Sequence, residues 1–227
     1  MLVGLVNCAL LCLEMNIEPF YAIVDVRMAI NAGWSVRDLT KAFLDGGARL
    51  LQLRGENCET GHLQRLCDEM VDIADRYGAG IIVNDRFDIA KLGGASGVHL
   101  GQADLTVLAA RQFLGPIAAI GVSTHTVTEL HEACSTEVNY VAVGPVFRTQ
   151  TKTKGRSPIG LSGVRDAAKR SEKHPVVAIG GINLNRVVPV IEAGANAVAV
   201  ISDLLVGGSP ERRVKAYLDV LASVCPK

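Results

Sequence analysis

Short apolar runs that stop abruptly, each followed by a stretch with helical spacing, recur along most of this chain and limit its fold more than any single residue does. They lie at Phe20–Asp25, Arg49–Arg54, Gly80–Asn84, Gly97–Leu100, Ile117–Val122, Tyr140–Val143, Val176–Ile179 and Ala197–Val200. Each is too short for a helix and mostly apolar, as strands covered on both faces are. Right-handed β-α-β crossovers are the common way to string such strands, and eight of them close a barrel. The sequence therefore predicts an α/β fold, a single-domain (β/α)8 TIM barrel over residues 19–227, with residues 1–18 as an N-terminal extension. A chain of 227 residues is long enough for that one core.

Helix punctuation agrees with this rhythm. Gly46-Gly47, Gly93-Gly94 and Gly194 fall where a helix should stop and a strand begin. Thr126 with Glu129 reads as a capping box, and Asn183 as the cap of a helix over residues 185–193.

The strand ends carry the chemistry. Gln52 and Arg54 project to one side of the second strand and Leu53 to the other. The third and fourth strands end in Asn84-Asp85 and, after Gly101, in Gln102 and Asp104. Two carboxylates on neighbouring strand tips repel unless a cation lies between them, and Mg²⁺ shared with a phosphate satisfies both. Capping of the following helices is the plainer alternative for each Asp. His99 reads as a hydrogen-bonded barrel residue rather than a ligand.

A long connection, Gly144 to Pro158, carries Arg148, Lys152, Lys154 and Arg156 among hydroxyls and reads as a phosphate-gripping lid. Gly180 and Gly181 after the seventh strand, and Ser202 after the eighth, suit a second phosphate, since barrels often hold one there on backbone N–H groups. Two phosphorylated substrates entering one mouth is the resulting expectation.

Balanced charge, with 23 Lys+Arg and 23 Asp+Glu, provides no global field for nucleic acid or an anionic membrane. Six cysteines without a C-x-x-C pair read as reduced thiols of a cytoplasmic protein. Met1–Leu13 is apolar but lacks a basic flank, and is shorter than the ~20 residues of a membrane helix. Small-molecule substrates are the expected partners, and a homo-oligomer is compatible with the sequence.

Taken together, Gln-x-Arg54, Asn-Asp-Arg86, His-Leu-Gly-Gln-x-Asp104, Gly121-Val-Ser-Thr-His125, Gly144-Pro-Val-Phe-x-Thr-x-Thr-Lys152 and Ala-Ile-Gly-Gly-Ile182 resemble the thiamine-phosphate synthase family, with likeness from about Tyr21 to Leu205. The resemblance implies transfer of an aminopyrimidine methyl group from its diphosphate to a thiazole phosphate, with release of pyrophosphate. It implies Gln52, Arg54, Asn84, Ser123 and Lys152 on the pyrimidine diphosphate, with Arg54, Ser123 and Lys152 in catalytic roles. Asp85 and Asp104 would hold Mg²⁺, and Thr149, Thr151, Gly181, Ile201 and Ser202 the thiazole phosphate. One departure stands out, because Glu56 occupies a position where the family usually has Lys. Either Glu56 turns outward, with Lys154 or Arg156 in its place, or affinity for diphosphate falls. A thiazole tautomerase of the same barrel type, and a non-catalytic protein that binds a thiamine precursor, are the rival readings.

Overall fold

The computed structural model describes residues 17–149 and 157–224. Its strands are β1 (Phe20–Asp25), β2 (Leu50–Arg54), β3 (Gly80–Asn84), β4 (Gly97–Leu100), β5 (Ala119–Thr124), β6 (Tyr140–Val143), β7 (Val176–Ile179) and β8 (Ala197–Val200). They run parallel in sequence order, and β8 closes on β1, pairing Tyr21 with Ala199. Around them lie α1 (Val26–Asn31), α2 (Val36–Asp45), α3 (Thr60–Asp75), α4 (Phe87–Leu92), α5 (Val107–Leu114), α6 (Val127–Cys134), α7 (Gly160–Arg170), α8 (Val187–Glu192) and α9 (Pro210–Val224). Short 3₁₀ turns cover Leu184–Arg186 and Ser202–Leu205. The expected (β/α)8 barrel is the observed one. No helix among the described residues is long and apolar enough to cross a membrane.

Strand alternation divides the core in two. Leu51, Leu53, Ile81, Val83, Val98 and Val141 face the helices within one large cluster. Tyr21, Ile23, Ile82, Tyr140, Ala142, Val177, Ala197 and Ala199 fill the barrel interior. Glycine makes the interior fit: a Cβ on Gly121 would lie 2.0 Å from Tyr140 Cζ, so only glycine leaves room for that ring. Ile17 packs on the same inner cluster.

Two boundaries differ from expectation. The fifth strand is Ala119–Thr124, not Ile117–Val122. Arg111 Nη1 takes the carbonyls of Gly115, Pro116 and Ala118, leaving Ile117 56% exposed and moving the ladder forward so that Ser123 and Thr124 pair with Ala142 and Val143. Asn183 makes no side-chain cap bond, and its buried Oδ1 has no partner. Pro189 has no N–H to donate, so the α-helix begins at Val187, where proline falls in the first turn, and a 3₁₀ turn precedes it. Thr126 does accept from Glu129 N (3.1 Å), but the Glu129 carboxylate reaches back one residue further, to His125 N (2.6 Å) and Nδ1 (2.9 Å).

Cys58, Cys67 and Cys134 are free thiols, and burial, helped by Asp68, pushes Cys67 up to about 12. A thiol so placed packs rather than reacts.

Candidate active site

A cavity of about 280 Å³ opens at the carboxyl ends of the strands. Gln52, Arg54, Asn84, Asp85, Asp104, Ser123, Thr149, Gly181, Ile201 and Ser202 all line it. Thr151 and Lys152, with Lys154 and Arg156 of the expected lid, lie outside the described residues.

Neither acid stands at a helix cap position. The cap position of α4 is Arg86, and that of α5 is Thr106, whose hydroxyl accepts from Ala109 N at 3.2 Å. Asp85 has φ +64°, rare for a non-glycine residue, and its N–H donates to His99 O at 2.8 Å. Backbone strain of this kind gathers at functional sites. Asp104 Oδ2 accepts from Gly101 N at 2.6 Å, which folds the segment after β4 back toward the mouth. Among the described residues no cluster of three or more His, Cys, Asp or Glu side chains is assembled for a metal. Two carboxylates alone match a hard cation that completes its shell with water and substrate phosphate.

Arg54 is held on both sides. Its Nη1 pairs with buried Asp25, while its Nη2 lies 2.5 Å from Glu56 Oε2. Asp25 also accepts from Met28 N at 3.0 Å, capping α1. Glu56 is therefore not turned away from the site: it lines the cavity, bound to the cation nearest to it in sequence. Asp25 is the partner that sequence reasoning missed, and only its place at the end of β1 could have flagged it.

The glycines after β7 have a use that differs from simple turning. Val146 N donates to Ile179 O and Phe147 N to Gly180 O, both at 2.9 Å, so the segment after β6 lies against the tip of β7. A Cβ on Gly180 would meet Pro145 Cα at 2.6 Å, and one on Gly181 would meet Arg148 O at 2.6 Å. Arg186 pins the arrangement, donating to Gly181 O at 2.6 Å with its guanidinium 4.4 Å from the Phe147 ring centre. Nothing in the local pattern around Arg186 marks that contact.

His99 is a hydrogen-bonded barrel residue as expected, its Nδ1 3.0 Å from Tyr140 OH and its Nε2 2.8 Å from Ser123 Oγ. Gln102 Nε2 donates to Ser123 O at 2.6 Å, tying the β4 and β5 ends together. Tyr21 and Tyr140, read from sequence only as strand residues, complete this inner polar layer.

Barrel and cavity together define a (β/α)8 enzyme whose strand ends converge on one substrate pocket. Its sequence matches the thiamine monophosphate synthase family over residues 20–204. Thiamine-phosphate synthase of Thermus thermophilus is 41% identical over 195 residues, covering 85% of this chain and 93% of the relative. That of Caldicellulosiruptor saccharolyticus is 35% identical over 189 residues, covering 83% and 85%. The solved thiamine phosphate pyrophosphorylase from Pyrococcus furiosus superposes with a TM-score of 0.83 at 29% identity, covering 94% of this chain and 99% of that one. The chain belongs to the thiamine monophosphate synthase family.

Proposed function

We propose that this barrel is a transferase that joins 4-amino-2-methyl-5-(diphosphooxymethyl)pyrimidine to a thiazole phosphate, giving thiamine monophosphate and pyrophosphate. The observation that carries this reading is the convergence of Arg54, Asp85 and Asp104 on the same cavity as Gly181 and Ser202. One side suits a diphosphate and the other a single phosphate. A tautomerase has no diphosphate to neutralise and would not need Arg54 with two acids.

In this reading Gln52, Arg54, Asn84, Ser123 and Lys152 hold the pyrimidine diphosphate, and Thr149, Thr151, Gly181, Ile201 and Ser202 the thiazole phosphate. Asp85 and Asp104 would hold Mg²⁺, which supplies charge neutralisation to the leaving diphosphate when bound. Arg54 and Lys152 stabilise the same developing charge from the protein side. The methylene carbon–oxygen bond breaks with its electron pair going to pyrophosphate, and the thiazole nitrogen lone pair forms the new carbon–nitrogen bond. No protein nucleophile is required. Val177, Ile179 and Ala199 on the cavity wall limit the water that could intercept the pyrimidine-methyl cation which that cleavage leaves. The free thiols of Cys58, Cys67 and Cys134 support a cytoplasmic location.

The Glu56 contact with Arg54 is the one observation that favours a non-catalytic binding role. Pyrophosphate release decides the matter. With both substrates and Mg²⁺ it should be stoichiometric with thiamine monophosphate, and with either substrate alone it should cease. Rearrangement of the thiazole without pyrophosphate would identify a tautomerase, and binding without turnover a sensor.

A further inference from the structure

Gln52 on β2 and Ser123 on β5 are joined through the barrel interior. Gln52 Nε2 donates to Tyr21 OH at 2.8 Å, and the Tyr21 and Tyr140 hydroxyls are 3.1 Å apart. Tyr140 OH lies 3.0 Å from His99 Nδ1, and His99 Nε2 lies 2.8 Å from Ser123 Oγ. Tyr21, Tyr140 and His99 are all buried. Ring packing holds them in line, with Tyr21 edge-on to Tyr140 at 6.0 Å and His99 stacked on Tyr140 at 5.6 Å. Burial raises both phenols well above the ordinary tyrosine range, which keeps them neutral.

A phenol carries one proton and a neutral imidazole one N–H, so direction passes along the row. When the Gln52 amide nitrogen donates to Tyr21, the Tyr21 proton goes to Tyr140 and the Tyr140 proton to His99 Nδ1. The His99 proton then sits on Nε2 and goes to Ser123 Oγ. The Ser123 proton is left for the cavity, while Gln52 keeps Oε1 as its acceptor. Turning the amide over would reverse every bond and exchange the roles of the two ends. An amide does not hand on a proton, so the row transmits orientation and not charge. Buried hydrogen bonds in series polarise one another, and a misdirected member would be left unsatisfied in the interior.

We propose that Tyr21, Tyr140 and His99 are positioning residues forming one directed file of hydrogen bonds, which holds Gln52 as acceptor and Ser123 as donor so that together they read a ring edge offering one donor and one acceptor. An aminopyrimidine offers that pair, as amino group and ring nitrogen. The ring's identity rests on the transferase reading given above; the file itself does not.

Nitrogen-15 spectra of the full chain with labelled histidine, recorded alongside steady-state kinetics, test both parts. His99 should be a single tautomer with its proton on Nε2. Tyr21→Phe leaves Tyr140 and Ser123 in place beside His99 and removes only the hydroxyl behind Tyr140, yet it should release the ring into a mixture of the two tautomers. Gln52→Met removes the first donor and should do the same if Tyr21→Phe does not fold. Tyr21→Phe should raise KM for the pyrimidine diphosphate by about tenfold, the effect of one lost hydrogen bond, with KM for the thiazole phosphate unchanged; Gln52→Met also removes its own substrate contact, so only its tautomer reports on the file. A proton on Nδ1, a doubly protonated ring, or a tautomer indifferent to both variants overturns the file. A tautomer that responds while KM for the pyrimidine diphosphate stays constant overturns the ring-reading role and counts against the aminopyrimidine assignment.

Discussion

Glu56 Oε2 sits 2.5 Å from Arg54 Nη2, so the guanidinium that faces the cavity is shared between two carboxylates, Glu56 and the buried Asp25. On the proposed reading, a diphosphate bound at Arg54 would displace Glu56 from that cation. Glu56 is half exposed, which moderates the effect. Glu56→Lys should lower KM for the pyrimidine diphosphate roughly three- to tenfold, because a competing carboxylate becomes a phosphate-binding ammonium. Steady-state kinetics at fixed Mg²⁺ check this, and an unchanged or higher KM would show that Glu56 does not compete.

Gly121 clears the space that the Tyr140 ring fills. Gly121→Ala should destabilise the fold by about 1–3 kcal/mol, the usual range for overpacking a filled interior. Thermal denaturation measures it. A melting temperature equal to that of the unsubstituted protein would mean that the ring can move aside without loss.

Gly181 has φ +64°, and a Cβ there would meet Arg148 O. Gly181→Ala should therefore push the segment after β6 off the tip of β7 and weaken thiazole phosphate binding more than diphosphate binding. The ratio of the two KM values reports this, and equal changes in both would place Gly181 outside the phosphate subsite.

Alkaline pH should loosen the barrel through its tyrosines. Burial is the largest cause raising Tyr21, Tyr140 and Tyr217, and Asp203 adds to it at Tyr217. A folded pKa above the unfolded value of about 10 contributes stability that is complete below that value and is lost as pH rises through the folded one. Denaturant titrations from about pH 9 to about pH 12 should show stability that begins to fall near pH 10, with a shallower fall in Tyr140→Phe. An identical slope in that variant would contradict the assignment.

Much of this was legible because parallel strands of a barrel are apolar on both faces, so all eight stood out as short runs. The site residues were legible for a related reason: Arg54 and Asn84 end their strands, Asp85 follows one, and Gln52 shares the inward side of β2 with Arg54. What escaped depended on partners distant in the chain. Arg111 holds the carbonyls of Gly115, Pro116 and Ala118, and β5 begins only at Ala119. Tyr21 and Tyr140 meet across 119 positions, and an aromatic residue in a strand looks the same from sequence whether its hydroxyl is idle or relays a bond. Asp25 looks like an ordinary strand end in the sequence, because its partner Arg54 lies 29 positions away.

The most direct test of the central claim is the Mg²⁺ dependence of thiamine monophosphate formation in the unsubstituted protein, Asp85→Asn and Asp104→Asn. Each substitution should raise the Mg²⁺ concentration for half-maximal rate and lower kcat by about a hundredfold, the scale of losing a metal-holding group. Unchanged Mg²⁺ dependence with full rates in both variants would contradict the assignment of these two strand-end acids to a shared cation.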